Sequence, residues 1–397
     1  MNILIASDSY KGSLSTDKVA ELIEKGVRKV FSGANLAYIP MADGGEGTVD
    51  AMVTALNGRY EYQEVIGPMG DTVSAKYGVL EDGKAVIEMA AASGLPLVPE
   101  EQRNILKATT YGTGQLIKAA LDLGCKQIYI GIGGSATNDG GIGMAQALGA
   151  HFLDENGKEA GFGGGALDSI VDIDLSGMDE RLKETELVIM SDVSNPLCGP
   201  EGASAVYGPQ KGATPEQVEL LDQGLFHLAR IIKRKFNKEV DQLKGAGAAG
   251  GLGMGLVAFA GGRLQSGIEA VMKASDFNSK LEWADLVITG EGRIDGQSVN
   301  GKVVTGISKY AAMHHVPVIA IVGSIGKNAE AVYEYHIDSM ESCVVSPGTL
   351  EEALKSAEDN LIAATVRIMR SILVGMRLVM YHEPEISEKI APHSNSF

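Results

Sequence analysis

Five short glycine-rich stretches concentrate the residues of this sequence that could do chemistry: SDSYKGS (7–13), MADGGEGT (41–48), GIGGSATNDGGIG (131–143), SDVSNPLCGPEGASAVYGPQKGA (191–213) and TGEGRIDGQSVNGK (289–302). They carry the carboxylates Asp8, Asp43, Glu46, Asp139, Asp192, Glu291 and Asp295, with the cations Lys11, Lys211, Arg293 and Lys302 among them. Glycine lets backbone N–H groups approach a phosphate closely, a lysine offsets its charge, and carboxylates hold Mg²⁺. Nucleotide-dependent phosphoryl transfer needs all three. Taken singly, Asp-Gly and Asn-Gly pairs only make turns. The seven histidines lie outside these stretches and no GxSxG occurs, so a Ser/His/Asp hydrolase is disfavoured and the natural proton acceptor is a carboxylate.

Each stretch follows an apolar run that reads as a strand: Asn2 to Ala6, Leu36 to Met41, Gln127 to Ile132, Leu187 to Met190 and Leu286 to Thr289, with further strands at Val316 to Val322 and Ser342 to Val345. Strand, glycine-rich loop and helical periodicity in turn predict an α/β fold with a mostly parallel sheet of flavodoxin or Rossmann type. In such sheets ligands bind at the carboxyl ends of strands, so the five loops are expected to converge on one site. Ser15 caps a predicted helix whose inward face carries Val19, Leu22, Ile23, Val27 and Val30. Residues 60–98 and 151–176 alternate β-formers with turns, which suggests a second, less regular α/β domain inserted in the first. The expected division is 1–60, 105–150 and 280–382 for the parallel domain, 61–104 and 151–279 for the insertion, and 383–397 as a loose tail.

The 397 residues carry 34 Lys plus Arg against 51 Asp plus Glu, a formal charge of −17. That balance argues against nucleic acid and anionic membrane as partners. Three scattered cysteines without CxxC suggest neither a disulfide framework nor a zinc site and fit a reducing cytoplasm. Residues 245–262 hold no charge, yet eight of the eighteen are glycine, which favours a Gly-rich loop and packed helix over a membrane span. The same stretch reads as a connection able to accommodate domain closure. Monomer and homodimer both remain open.

Two near-matches to familiar motifs need weighing. Gly296 to Val303 follows the Walker pattern through Lys302, but Val303 stands where a magnesium-binding hydroxyl belongs, and the motif begins several residues beyond its strand. Gly131, Gly133 and Ala136 form GxGxxA with Asp154 where a ribose-binding acid would fall, a dinucleotide fingerprint. It raises the alternative of an NAD-dependent dehydrogenase of a small hydroxy acid. Asp139 would then repel the pyrophosphate from the first helical turn. A non-catalytic nucleotide-sensing module is the remaining rival.

Taken together, SDSYKGSLS, MADGGEGT, IGGSATNDGGIGMAQALG, SDVSNPLCGPEGA, YGPQKGA and TGEGRID resemble the bacterial-type glycerate kinase family from residue 1 to about 380. The resemblance implies ATP-dependent phosphorylation of D-glycerate, usually at the 2-hydroxyl rather than the 3-hydroxyl, by a two-domain α/β protein with its site in the cleft between domains.

Roles are assigned from chemistry. Asp192 is the first candidate for general base or Mg²⁺ ligand, with Asp43 (also a Mg²⁺ candidate) and Asp295 as alternates. Lys11 is expected to contact phosphate, and Arg293 to clamp the substrate carboxylate as a planar bidentate donor. Gly133, Gly134, Ser135, Thr137, Asn138, Glu291 and Lys302 are expected around ATP. Ser9, Asp43 and Glu46 are expected to join Arg293 around the substrate.

Overall fold

The computed structural model describes residues 1–296, 298 and 303–389, the side chains of 382–389 excepted. The chain forms two compact units. The first comprises Met1–Pro40, Asn278–Val299 and Val303–Phe397, and the second contains Met41–Phe277.

In the first unit five parallel strands lie in the order Ser339–Ser342, Val318–Val322, Leu286–Thr289, Asn2–Ile5, Asn35–Tyr38. Ile3, Leu4 and Ile5 are buried, as a strand covered on both faces requires. The Ser15 hydroxyl accepts the Lys18 N–H and starts the helix Thr16–Arg28, whose Val19, Leu22, Ile23 and Val27 are buried. This helix packs closely on Ala357–Lys389, since a Cβ on Gly26 would lie 2.5 Å from Thr365 Cβ. The last strand forms earlier than the apolar run Ser342 to Val345 suggests, because Val344 and Val345 are exposed and pairing with Val318–Val322 ends at Ser342. The helix that begins at Ala357 continues through 383–389 to Lys389, in place of a tail loose from 383, while 390–397 lie outside the described residues.

The second unit carries a six-stranded sheet in the order Arg263–Gln265, Glu186–Met190, Gln127–Gly131, Lys84–Glu88, Thr72–Leu80, Arg59–Ile66. Its first four strands are parallel and the last two antiparallel. Residues 41–60 and 105–150 therefore belong to this unit and not to the first. Gln127–Gly131 pairs with Lys84–Glu88 on one side and Glu186–Met190 on the other. Both units contain parallel strands, so hydrophobic patterning does not distinguish them.

Gly245 to Gly262 also lies wholly inside the second unit. Its helix Leu252–Ala260 is buried almost throughout, and among the described residues no helix is long and apolar enough to cross a membrane. A Cβ on Gly250 would meet the Thr137 carbonyl at 2.0 Å, and one on Gly255 the Gly140 carbonyl at 2.5 Å. These glycines allow close backbone packing, which corrects their reading as an interdomain connection.

Candidate active site

Each unit gathers loops at the carboxyl ends of its parallel strands. In the first, the Asp8 N–H and Ser7 hydroxyl donate to the Gly290 carbonyl, both at 3.0 Å, tying the loop after Asn2–Ile5 to the loop after Leu286–Thr289. Tyr10, buried, donates its hydroxyl to the Ile321 carbonyl at 2.5 Å and anchors the same loop to the next strand. Gly290 is obligatory here, since a Cβ would stand 2.1 Å from the Ile321 carbonyl oxygen. Asp8 accepts the Ser9 N–H at 2.6 Å and the Ser9 hydroxyl at 3.3 Å, so both polar groups of Ser9 are engaged locally.

This framework leaves Lys11 and Arg293 exposed. Arg293 sits on the short strand Arg293–Ile294, paired with Ser324–Ile325, and its Nε lies 3.5 Å from Asp295 Oδ2. The Asp295 N–H donates to the Ser298 hydroxyl at 3.2 Å, holding the turn that follows. Glu291, on the loop after Leu286–Thr289, is half-buried. Lys302 lies outside the described residues. The Gly296 motif is separated from Leu286–Thr289 by Arg293–Ile294, which is not a Walker arrangement.

In the second unit the 41–48 loop lies across the ends of two strands. A Cβ on Gly44 would be 2.8 Å from the Met190 carbonyl, and one on Gly131 would be 2.5 Å from the Gly44 carbonyl. Gly133 would come to 2.9 Å from Gly45 Cα, and Gly267 to 2.2 Å from the Asp43 carbonyl carbon. Four close approaches thus press Asp43, Gly44 and Gly45 between the strand ends. Within the loop, Asp43 accepts the Gly45 N–H at 2.9 Å, and Thr48 donates to the Gly45 carbonyl at 2.7 Å. Glu88 accepts the Val49 N–H at 2.8 Å and so fixes the helix Thr48–Ala55. Glu46 is left exposed on the loop.

Asp192, directly after Glu186–Met190 and Ser191, faces the same place. Its Oδ1 accepts the Gly267 N–H at 3.1 Å, whereas its buried Oδ2 has no hydrogen-bond partner among the described residues. Burial is the main cause that pushes this carboxyl up to about 6, and the neighbouring Asp43 charge adds to it. Ser266 and the Gly267 N–H pull the other way, although the Ser266 hydroxyl makes no hydrogen bond to Oδ2. A half-held carboxylate with an affinity for protons near neutrality suits proton transfer.

The 131–143 loop divides into an exposed crest, Gly133 and Gly134, and a buried base of Ser135, Thr137, Asn138 and Asp139. Asp139 accepts the Thr110 N–H at 2.8 Å, the Thr110 hydroxyl at 2.9 Å and the Gly141 N–H at 3.0 Å. Burial raises its pKa against those bonds. It is a loop anchor, and its inclusion with the metal-holding carboxylates is corrected by its lack of exposure. The Asn138 side chain donates to Ser204 at 3.0 Å.

The following helix begins only at Ile142, so it does not open directly on Gly131 to Gly134, as a dinucleotide fingerprint requires. Asn138 and Asp139 precede the helix instead of occupying its first turn. Asp154 accepts the Asn156 and Lys158 N–H groups at 2.8 and 2.9 Å and makes a surface turn. The GxGxxA match has lost its structural context.

Lys211 was legible only as one loop cation among several. It is buried, and its ammonium donates to the Ser135 hydroxyl and the Thr137 carbonyl, each at 2.7 Å.

Comparison with known proteins decides the family. The model of the glycerate kinase family matches residues 3–373. The chain belongs to the glycerate kinase family. It is 50% identical over 378 residues to glycerate 2-kinase of Escherichia coli K12, covering 95% of this chain and 99% of that one. A Bacillus subtilis glycerate kinase is also 50% identical, over 94% of this chain and all of its own. The solved structure of a Salmonella typhimurium LT2 protein assigned as glycerate kinase 2 superposes with a TM-score of 0.87 at 49% identity, covering 95% and 99% of the two chains. Glycerate kinases are ATP-dependent phosphotransferases with an alcohol acceptor, and membership brings this chain into that enzyme class.

Proposed function

We propose that the chain phosphorylates D-glycerate at its 2-hydroxyl, with ATP as donor and Asp192 as the proton acceptor. The regiochemistry is supported by the 50% identity to the E. coli protein named glycerate 2-kinase. The observation that carries the mechanism is the Asp192 carboxyl, one oxygen held by Gly267 and the other buried without a hydrogen-bond partner among the described residues. Its Oδ2 accepts the proton that leaves the substrate alcohol, while the Gly267 bond keeps the carboxyl from rotating away.

The same neighbourhood fits Mg²⁺. That ion is commonly held through one or two protein carboxylates with the rest of its shell from phosphate and water. Asp43 supplies one such carboxylate beside Asp192, and with Asp192 Oδ2 kept for the proton the remaining ligands would come from phosphate and water. Asp43 is assigned as the main protein ligand. When bound, the ion would offset charge on the transferring phosphoryl group.

On the first unit, the exposed Arg293 guanidinium is assigned to the substrate carboxylate and Lys11 to a phosphate oxygen. Ser9 and Glu46 are assigned to the substrate, and Glu291 with the Gly133 to Asn138 loop to ATP. The buried Thr137 and Asn138 side chains would act from beneath that loop. A cytoplasmic setting belongs to the same reading and is supported by three unbridged thiols, Cys125, Cys198 and Cys343.

Phosphorus NMR of the product of ATP, Mg²⁺ and D-glycerate tests the assignment. A 2-phosphoglycerate resonance is expected, and 3-phosphoglycerate as the first product would overturn it.

A further inference from the structure

Lys211 is 3% exposed, a costly position for an ammonium unless its donors are used. It ends the short turn Pro209–Lys211, which closes on Gly212 at φ +89°, and it points into the base of the 131–143 loop. One donor goes to Ser135 Oγ and one to the Thr137 carbonyl, both at 2.7 Å. Burial lowers its pKa to about 7, opposed by the buried Asp139 charge nearby.

A purely structural tie between the turn and the loop needs only the bond to the Thr137 carbonyl, which a neutral amide could make. The second bond has a different consequence. In its protonated form Lys211 has donors and no acceptor, so Ser135 Oγ then serves as the acceptor toward it. The Ser135 hydroxyl proton is thereby directed away from the lysine. Ser135 keeps 7% exposure and adjoins the exposed Gly133 and Gly134, and a hydroxyl that accepts from a cation is a stronger donor in turn. Two further polar atoms of this loop, Thr137 Oγ1 and Asn138 Oδ1, are buried without a hydrogen-bond partner among the described residues, so the loop is not internally satisfied.

We infer that Lys211 is a positioning residue that orients Ser135 as a hydrogen-bond donor to a substrate oxyanion, either a phosphate oxygen of ATP or the carboxylate of glycerate. The inference rests on the proposed role of Gly133 to Asn138 in substrate binding.

Steady-state kinetics of the full chain test it with Ser135→Ala, Lys211→Met and the double variant, varying ATP and D-glycerate separately. Ser135→Ala is expected to raise one of the two KM values about tenfold, the scale of a lost hydrogen bond to a charged group. A rise for ATP assigns the oxyanion to phosphate, and a rise for glycerate assigns it to the carboxylate. Lys211→Met should raise the same KM, with the double variant no worse than the poorer single one, because one bond is lost in all three. Should Lys211→Met fail to fold, Lys211→Gln carries the comparison and is expected to show a smaller rise in the same KM.

A folded Lys211 variant with both KM values unchanged, or with effects that add to those of Ser135→Ala, overturns the positioning role. Unchanged KM values in Ser135→Ala itself would instead remove the loop from substrate binding, and the inference with it.

Discussion

Gly267 donates its N–H to Asp192 at 3.1 Å while its α-carbon lies so near Asp43 that an added Cβ would stand 2.2 Å from the Asp43 carbonyl. One residue therefore fixes the orientation of one carboxylate and the approach of another. Gly267→Ala must displace backbone, since no flexible side chain can yield at that contact. We expect a fall in kcat of more than about tenfold with a loss of stability of ~1–3 kcal/mol, the usual scale of overpacking. Turnover and thermal unfolding of the same preparation check this; unchanged turnover would show that the carboxylate pair tolerates movement.

Asp43→Asn separates the roles of the two carboxylates. As the main metal ligand, Asp43 should set the Mg²⁺ requirement, so its neutral variant should need roughly tenfold more Mg²⁺ for half-maximal rate, with partial recovery at saturation. A magnesium titration of the rate, with an unshifted midpoint, would reassign the ligand.

Arg293 is exposed and only loosely tethered by Asp295 at 3.5 Å, a distance long for a hydrogen bond. Arg293→Lys keeps the charge and loses the planar fork. The expected result is a rise in the KM for glycerate of about tenfold with that for ATP little changed, because bidentate pairing is what a small carboxylate gains from arginine. A rise confined to ATP would place this residue on the nucleotide.

Lys211 should also write itself into stability. Its folded pKa of about 7 lies below the unfolded value of ~10.4, so between these values the unfolded chain binds more protons and stability rises with pH. Burial of the charge opposes folding fully below pH ~7, and that penalty is lost progressively up to pH ~10. Relative to Lys211→Met, the unsubstituted chain should gain ~2 kcal/mol between pH 7 and 9. Urea unfolding of both proteins at the two pH values measures this; parallel stabilities would mean the lysine is not held in an apolar setting.

Much of the placement of the candidate loops was legible because α/β folds put such loops after strands. The strand Leu286–Thr289 has the predicted bounds, and Ser15 caps its helix from the predicted position. Asp43 and Asp192 stood out as carboxylates in glycine-rich loops, and the structure brings both to one sheet end. What was not legible depends on long-range pairing. The partition of the chain turns on which strands flank Gln127–Gly131, and two parallel sheets have the same local pattern. Lys211 read only as one loop cation among several because burial is invisible in YGPQKGA. Asp139 and Asp154 looked like ligand carboxylates because a residue that accepts backbone N–H groups has the same identity as one that binds a ligand.

The central claim is that the Asp192 carboxyl takes the proton from the substrate alcohol. Asp192→Asn keeps the shape and an acceptor for Gly267 but removes the basic oxygen. Turnover with saturating ATP, Mg²⁺ and D-glycerate should fall at least ~100-fold, the lower scale of general-base catalysis, while ATP affinity measured by calorimetry changes less than about threefold. Unchanged turnover in the folded variant would contradict the account.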